Sequence, residues 1–249
     1  MTRLRDLDLS VHLADPARKQ QFVTPMFDLI ASRYDAFTRV FSFGMDRRWK
    51  RLVLRELRAR VSAARNILDA ACGTGDLAFG AQSVLPDSFV TGFDASPQMI
   101  ALARARAELN PPQTRFAIGD LTRLDIADRS ADAVTAGYAF RNVPDHRAAL
   151  REVARVLRPG GVLVTLDFYR PESRLWRALF LGYLRAAGNL VGWWWHREPV
   201  AYGYIGPSIN AWVSARTFRE CLDAAGFDVQ AQHTFLLGSV AVHVAQRRA

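Results

Sequence analysis

Three acidic residues each stand near the end of a short apolar segment, and a glycine-containing turn follows the first of them. The acids, in the segments NILDAA, FVTGFD and RFAIGD, are Asp69, Asp94 and Asp120. The turn, CGTGD, contains Gly73 and Gly75, which permit a tight bend and a close approach of a ligand to the backbone. It opens a predicted helix, whose first N–H groups are free to bind that ligand. Since parallel strands end at one edge of a sheet, we expect the three carboxylates to surround a single ligand.

The position of Asp94 indicates a ligand that contains adenosine. An acid roughly 20 residues after such a turn accepts hydrogen bonds from both ribose hydroxyls, and Ala95 follows it in the same site. Nicotinamide dinucleotides and S-adenosylmethionine (SAM) both use this layout. A dinucleotide loop prefers a third glycine where this chain has Ala78, a replacement that some loops accept. The loop alone therefore excludes neither cofactor.

Asp69 favours SAM. A pyrophosphate gains nothing from an acid just before the turn, whereas a ligand with a sulfonium and an ammonium group is attracted to it. Asp120 is placed to accept a hydrogen bond from the adenine amino group, with Leu121 against the ring. The alternative is that Asp69 and Asp120 merely cap loops. Three acids at three successive strand ends around one turn favour the cofactor site over that alternative.

The segments that must position these residues alternate between strand and helix patterns. After the three acid-bearing strands come ADAVTAGYA and GGVLVTLDF, with helical segments between them. This alternation predicts parallel pairing in a doubly wound α/β sheet, Rossmann-like and mostly parallel. The last two patterns, DVQAQHTF and SVAVHVAQ, have no helix between them and predict an antiparallel hairpin that completes a seven-stranded sheet.

The chain is expected to form a single domain over residues 1–249, with a helical arm at its N-terminus. Residues 1–20 are expected to be loosely held. From about Thr24 to Leu57 an apolar stripe at helical spacing predicts helix, interrupted near Gly44. Residues 1–60 are therefore assigned to the arm.

Residues 172–213 break the strand–helix rhythm and are expected to form a helical, aromatic insertion. We interpret this segment as a lid over the substrate cavity. The alternative is contact with a membrane surface, since Arg174, Arg177 and Arg185 lie among large apolar residues and Trp193–Trp195 suit a water–lipid boundary. The two interpretations are compatible, because a lid that opens toward a membrane would admit an apolar substrate.

Composition limits the class of protein. The net charge of +9 is compatible with nucleic acid, anionic lipid or an acidic substrate. No apolar run approaches the roughly 18 residues of a membrane span, and the charged N-terminus lacks a signal-peptide core, so we expect a cytoplasmic protein. The two cysteines, Cys72 and Cys221, predict no metal site. Nucleic-acid methyltransferases that act on amino groups carry Asn/Asp-Pro-Pro-aromatic after the fourth strand. In this chain GYAFRN holds that place, while NPPQ, at 110–113, precedes the third strand and lacks the aromatic residue, so this class is disfavoured.

The chain resembles the C-methyltransferases of ubiquinone and menaquinone biosynthesis from about Phe27 to Val244. The shared segments are FDLIASRYDAFTRVFSFGMDRRWKR, LDAACGTGDLA, YAFRNVPDHRAALREVARVLRPGG and YGYIGPSI. The glycine loop and VLRPGG are common to many methyltransferases. The combination of FRNVPD with SRYD, SFG and WKR is far more specific.

The resemblance implies transfer of a methyl group from SAM to a ring carbon of a quinol with a polyprenyl tail. By motif, it implies cofactor contacts at Asp69, Gly73, Thr74, Asp94, Asp120, Leu121 and Gly137. The chain departs from the family at Pro207, where glutamate is usual, in NAWVSARTF, and in a few extra residues around WWWHREP. These departures leave open another aromatic acceptor, methylated on carbon or oxygen. The oligomeric state is also open, with a homodimer as one alternative.

A quinol carbon becomes nucleophilic when a neighbouring hydroxyl loses its proton, so the site needs a base and a stabiliser for the oxyanion. Arg141, after the fourth strand in GYAFRNVPD, is our candidate stabiliser, because a guanidinium stays charged. Asn142 could donate an amide hydrogen bond to a ring oxygen. The alternative is structural, with Arg141 paired to Asp145 and Asn142 starting a turn.

Tyr34 and His146 are the other candidates for the proton path. Tyr34 lies on the apolar stripe of the arm and matches the family motif, so its hydroxyl could contact the SAM carboxylate or move a proton. The alternative is a plain core or lid tyrosine. His146 begins a helix and could be a base, although a surface position on that first turn is favoured.

Overall fold

The computed structural model describes residues 16–109, 113–195 and 203–249, with side chains left undescribed at 16–17 and 189–195. The α-helices are α1 Pro16–Ile30, α2 Tyr34–Phe41, α3 Asp46–Arg60, α4 Asp76–Val84, α5 Pro97–Leu109, α6 His146–Val156, α7 Arg174–Trp195, α8 Ile205–Ala211 and α9 Ala215–Ala224. The strands are β1 Asn66–Ala70, β2 Phe89–Asp94, β3 Thr114–Ile118, β4 Ala131–Gly137, β5 Leu157–Phe168, β6 Phe227–Phe235 and β7 Val240–Arg247. Short 3₁₀ turns cover Ala31–Arg33 and Leu236–Gly238.

The seven strands form one sheet in the order β3-β2-β1-β4-β5-β7-β6. The first five are parallel, and β7 runs antiparallel to both β5 and β6. The predicted doubly wound sheet and its C-terminal hairpin are therefore confirmed. Asp69 on β1 lies opposite Gly92 and Thr135, so the carboxyl ends of these central strands meet at one edge. That edge is where a ligand binds in an open α/β sheet.

Two apolar clusters cover the two faces of the sheet. Trp49 of α3 and Leu77 of α4 belong to one cluster, and Leu150 of α6 and Phe218 of α9 belong to the other. β4 runs between them and is buried at its first six positions, as expected for a central parallel strand. The start of α6 is fixed by Asp145, which accepts hydrogen bonds from the backbone of the first turn.

Within the described residues 16–60, the N-terminal arm contains three α-helices. The sequence predicts that residues 1–20 are loosely held, but α1 begins at Pro16, so residues 16–20 are helical. The predicted interruption near Gly44 is present as a turn, in which Gly44 and Phe43 both have positive φ. A further break, the 3₁₀ turn Ala31–Arg33, separates α1 from α2. The apolar stripe alone gave no sign of that second break.

A third apolar cluster lies where helices α1, α2, α7 and α8 meet. It includes Phe22 and Met26 of α1, Phe37 of α2, Phe180 of α7 and Ile209 of α8. The arm and residues 172–213, far apart in sequence, therefore pack together. The described residues exclude 1–15, 110–112 and 196–202, and the side chains of Trp193–Trp195 also lie outside them. The interpretations that rest on those residues stay predictions. In the described part of the chain, no helix is long and apolar enough to cross a membrane.

Candidate active site

Two adjoining cavities lie at the carboxyl edge of the sheet. The first encloses about 1000 Å³ including its opening to solvent, and the second about 580 Å³. Four side chains line both cavities, namely Phe27, Tyr34, Tyr138 and Asn142. The glycine loop and the acidic strand ends line the first cavity. The second is mainly apolar, with Met26, Phe37 and Phe41 among its walls and Arg141 as its cation.

Almost all the cofactor residues predicted from sequence line the first cavity. They are Asp69, Gly73, Thr74, Asp94, Ala95, Asp120, Leu121 and Gly137. Gly75 is the exception. It has a φ of +91°, and a Cβ there would lie 2.8 Å from the rings of Phe116 and Phe79. Its role in the loop is therefore conformational, since it packs behind the turn.

Asp94 holds the glycine loop in place. Its Oδ2 accepts a hydrogen bond from the Gly73 N–H at 2.8 Å, and its Oδ1 accepts one from the Ser96 N–H at 2.9 Å. Each oxygen retains a further lone pair for a ligand. Burial raises the pKa of Asp94 because the charged form is poorly solvated, while the two N–H donors oppose that shift.

Asp69 is almost fully buried and only half satisfied. Its Oδ1 accepts a hydrogen bond from Thr135 Oγ1 at 2.7 Å, whereas its Oδ2 has no hydrogen-bond partner among the described residues. Burial raises the pKa of Asp69 to about 7, and the nearby charge of Asp94 adds to the shift. A cationic ligand in the cavity would stabilise the ionised carboxylate and reverse this shift. The orphaned oxygen therefore fits a ligand that carries positive charge.

Asp120 and Gly137 combine structural and lining roles. Asp120 Oδ1 accepts hydrogen bonds from both the N–H and the hydroxyl of Thr122 at 2.8 Å, so Asp120 caps a turn while it borders the cavity. Leu121 is buried beside it. A Cβ at Gly137 would lie 2.8 Å from Leu77 Cδ1. Contact with Leu77 is therefore itself a reason for glycine at this position, besides its place in the cavity wall.

Arg141 is buried at the wall of the second cavity. Its Nη1 donates a hydrogen bond to Ser208 Oγ at 2.6 Å, and its Nε lies 3.6 Å from Asp167 Oδ1. Its backbone N–H also donates to Asp167 Oδ2 at 3.1 Å. The predicted alternative partner, Asp145, instead caps α6. The structural alternative was thus wrong about the partner, because the carboxylate at the end of β5 is closer in space.

Asn142 is held at both ends of its amide. The Nδ2 donates to the Tyr138 carbonyl at 2.8 Å, and the Oδ1 accepts from the Tyr204 hydroxyl at 3.2 Å. One amide hydrogen and one lone pair are left over. Asn142 therefore fixes the turn after β4 and connects it to the residue before α8, at the boundary between the two cavities.

Tyr34 and Tyr138 place two phenol groups at that boundary. Burial raises the pKa of Tyr34, although Arg141 opposes the shift, so its hydroxyl is protonated near neutral pH. Tyr138 has a φ of +58°, its ring stacks on Phe168 at 5.3 Å, and its buried hydroxyl has no hydrogen-bond partner among the described residues. Sequence reasoning missed Tyr138. Its position between Gly137 and Arg141 was the available signal.

His146 lies away from both cavities, but it is half-buried rather than in the surface position that the sequence favours. Its ring meets Trp212 edge-on at 4.8 Å, and its Nε2 is 3.8 Å from Cys221 Sγ. Burial lowers its pKa. The histidine therefore packs between α6 and α9, and it offers no base to the site.

Three polar side chains of α1 and α2 bind the arm to the site through contacts that the sequence did not reveal. Lys19 donates to the carbonyls of Arg141 and Val143 at 2.7 and 2.9 Å, and burial lowers its pKa to about 8. Asp28 accepts from the hydroxyl of Ser96, beside Asp94. Asp35 accepts from the hydroxyl of Thr74 at 2.8 Å.

These contacts join α1 and α2 to three different loops of the sheet edge. Asp28 and Asp35 directly follow two residues of the apolar stripe, and that position was the available signal in the sequence. Lys19 precedes the stripe and carried no such signal.

The family model and the sequence relatives that match this chain agree with one another. The model of the ubiE/COQ5 methyltransferase family matches residues 16–247. A demethylmenaquinone methyltransferase of Deinococcus radiodurans is 39% identical, over 86% of this chain and 88% of that protein. A demethylmenaquinone methyltransferase of Thermus thermophilus is 37% identical, over 89% of this chain and all of that protein.

Among solved structures, the [4+2]-cyclase SpnF has a similar fold. The two structures superpose with a TM-score of 0.65 at 18% identity, over 92% of this chain and 96% of the cyclase. At that identity the likeness shows the fold alone. A shared fold hosts different reactions, so the reaction must be argued from the residues of the site.

Proposed function

The chain belongs to the ubiE/COQ5 methyltransferase family, and from that premise we propose that it transfers a methyl group from SAM to a ring carbon of a polyprenylated quinol. One observation carries the proposal. A cavity lined by five carboxylates, among them Asp69, Asp94 and Asp120, adjoins an apolar cavity with a buried arginine, and the two share four side chains. A methyl donor in the first and a ring in the second would meet at that boundary.

SAM fits the first cavity. Asp94 would accept from the ribose hydroxyls with the lone pairs that Gly73 and Ser96 leave free, and Asp120 and Leu121 would hold the adenine. The orphaned oxygen of Asp69 would face the positive charge of the methionine part. SAM supplies an electrophilic methyl group, and the loop holds it by backbone contact.

The chain's own residues would then orient and activate the acceptor. Arg141 would orient a water molecule that accepts the proton of the quinol hydroxyl, and its guanidinium would stabilise the anion that forms. The unpartnered hydroxyl of Tyr138 would donate to a ring oxygen. Asn142 positions the turn that carries both residues. Tyr34, which is protonated, would serve as a donor at the boundary rather than as a base.

The second cavity suits an apolar acceptor. Met26, Phe37, Phe41 and Ile205 provide contact surface for a prenyl tail. The alternative acceptor is another aromatic small molecule, methylated on carbon or oxygen, because Pro207, which departs from the family pattern, lies between Tyr204 and Ser208 at the acceptor cavity. A prenyl tail distinguishes the two candidate acceptors, since the alternative acceptor carries none.

We further propose that residues 1–249 form a single domain in which the arm, residues 1–60, and residues 172–213 together cover the site as a lid. The shared apolar cluster of α1, α2, α7 and α8 supports this arrangement. The enzyme would work in the cytoplasm, with peripheral contact at the inner membrane surface, and would bind a small molecule rather than nucleic acid. A homodimer is compatible with this proposal, which does not require one.

The test is a turnover assay with SAM and a panel of acceptors. The panel contains demethylated benzoquinols and naphthoquinols with and without a short prenyl tail, together with tail-free phenols. The methylated atom is located by mass spectrometry. The proposal expects methylation of a ring carbon and faster turnover with the tail. Methylation of tail-free phenols alone, or of oxygen, would overturn it in favour of the alternative.

A further inference from the structure

Six large apolar side chains are exposed on helices α2 and α7 and on two turns next to them. We call this surface the apolar rim, and its residues are Val40, Phe43, Leu175, Leu179, Tyr183 and Leu237. The rings of Phe43 and Tyr183 stack at 5.7 Å. Leu179 and Tyr183 share one face of α7, four residues apart. The indole of Trp176 donates to the Leu236 carbonyl at 2.9 Å, which brings the turn with Leu237 beside α7.

Two of the three most exposed members of the rim stand in strained turns. Phe43 and Leu237 have φ values of 50° and 51°, where glycine or asparagine is favoured over large side chains. They are 75% and 74% exposed, so neither gains burial that would offset the strain. A strained backbone that holds a large apolar side chain in water is explained if that side chain binds something.

Arginines border the apolar rim. Arg48, Arg51 and Arg55 line one groove together with Leu236, the neighbour of Leu237. No ion pair involves these three arginines within the described ranges. An apolar patch flanked by such cations matches the boundary of a bilayer that contains anionic lipid. A second copy of the chain fits less well, because it would bring a like charge of +9 against the same arginines.

The rim also adjoins the second cavity. Phe41 and Ser42 line that cavity and directly precede Phe43, and the Tyr183 hydroxyl contacts the Phe41 carbonyl at 3.4 Å. We propose that the apolar rim docks the protein on an anionic bilayer, with Phe43 and Leu237 inserted at the level of the headgroups and the three arginines against lipid phosphates. This surface differs from the tryptophan segment considered in the sequence. Its docking does not depend on which acceptor is methylated.

The test is sedimentation with vesicles in the absence of SAM and acceptor. The wild type is expected to bind phosphatidylcholine vesicles that contain phosphatidylglycerol. The variant Phe43→Asn/Leu237→Asn is expected to bind them roughly 100-fold more weakly, because two apolar anchors are lost. Asparagine tolerates the left-handed backbone, so the melting temperature should stay the same or rise. Leu109→Asn, which removes an equally exposed side chain from α5, is the matched control and should bind normally.

A separate variant tests the contribution of the three arginines to vesicle binding. Arg48→Gln/Arg51→Gln/Arg55→Gln should bind anionic vesicles no better than vesicles of phosphatidylcholine alone, and salt should weaken the wild type to the same level. Wild type that fails to sediment, or an asparagine double variant that binds like wild type, overturns the proposal. So does light scattering that finds a wild-type dimer and a monomeric double variant, because the rim would then be an interface between copies. Turnover of a short-tailed, water-soluble quinol should be unchanged in the double variant, which separates docking from catalysis.

Discussion

Arg141 and Asp167 form a buried ion pair, and its removal separates a structural from a catalytic role. In Arg141→Met the guanidinium disappears while the wholly buried Asp167 keeps its carboxylate. Breaking a buried pair in this way costs about 3–5 kcal/mol. For a chain of 249 residues each kcal/mol shifts the melting temperature by about 2–4 °C, so a fall of about 6–20 °C is expected. Thermal unfolding measures this fall.

The double variant Arg141→Met/Asp167→Asn supplies the control. Asparagine at 167 can still accept one of the two backbone hydrogen bonds that Asp167 accepts, such as the one that Arg141 donates at 3.1 Å, and neither member of the pair leaves a buried charge. Most of the lost stability should therefore return. Turnover should not return, since loss of an anion stabiliser costs about 10²–10³ in kcat in both variants. SAM affinity, measured by calorimetry, should change little in either, because Arg141 lines the second cavity.

The pH dependence of stability follows from the same carboxylate. Burial raises the pKa of Asp167 above its unfolded value, and Arg141 opposes that shift. A folded pKa raised in this way means that stability falls as pH rises from the unfolded pKa to the folded one. Arg141→Met raises the folded pKa further, so its destabilisation should be larger at pH 8 than at pH 5. The double variant should lose that difference. If it regained turnover along with stability, the reasoning would be refuted and Arg141 would be structural.

Three further variants test the two cavities. Asp94→Ala should weaken SAM binding by at least 100-fold in calorimetry, because each hydrogen bond from a ribose hydroxyl to the charged carboxylate contributes about 1.5–3 kcal/mol. Unaltered binding would show that SAM does not bind at this site. SAM affinity should rise as pH increases through about 7, where Asp69 ionises, and Asp69→Asn should bind weakly with a flat profile; a wild-type affinity that is flat with pH would contradict the role of Asp69. Tyr138→Phe should raise the melting temperature, because a buried unpartnered hydroxyl is removed, and lower turnover; a fall in stability would show that the hydroxyl has a structural partner.

The sheet and the cofactor residues were predictable because their signals are local. The apolar segments that carry Asp69 and Asp94 near their ends specify strand ends, and the two glycines Gly73 and Gly75 specify the turn between them. Parallel pairing then brings those ends to one edge without any knowledge of side-chain contacts. The antiparallel hairpin followed in the same way from the missing helix between the last two strands.

The partners of the site residues were not predictable, because they depend on distances between segments. Arg141 pairs with Asp167 rather than Asp145, since the turn after β4 lies against the end of β5. Tyr138 was read as part of a strand, and its positive φ and orphaned hydroxyl appear only in three dimensions. Lys19, assigned to a loose segment, contacts residues more than a hundred positions away.

The contacts of the arm have a kinetic consequence. Asp28 and Asp35 attach α1 and α2 to the loops that hold the cofactor, while the same helices supply Met26, Phe37 and Phe41 to the wall of the acceptor cavity. A movement of the arm that frees the spent cofactor therefore also opens the acceptor cavity. Release of the two products becomes one shared event, and every variant that loosens the arm should change both dissociation rates together.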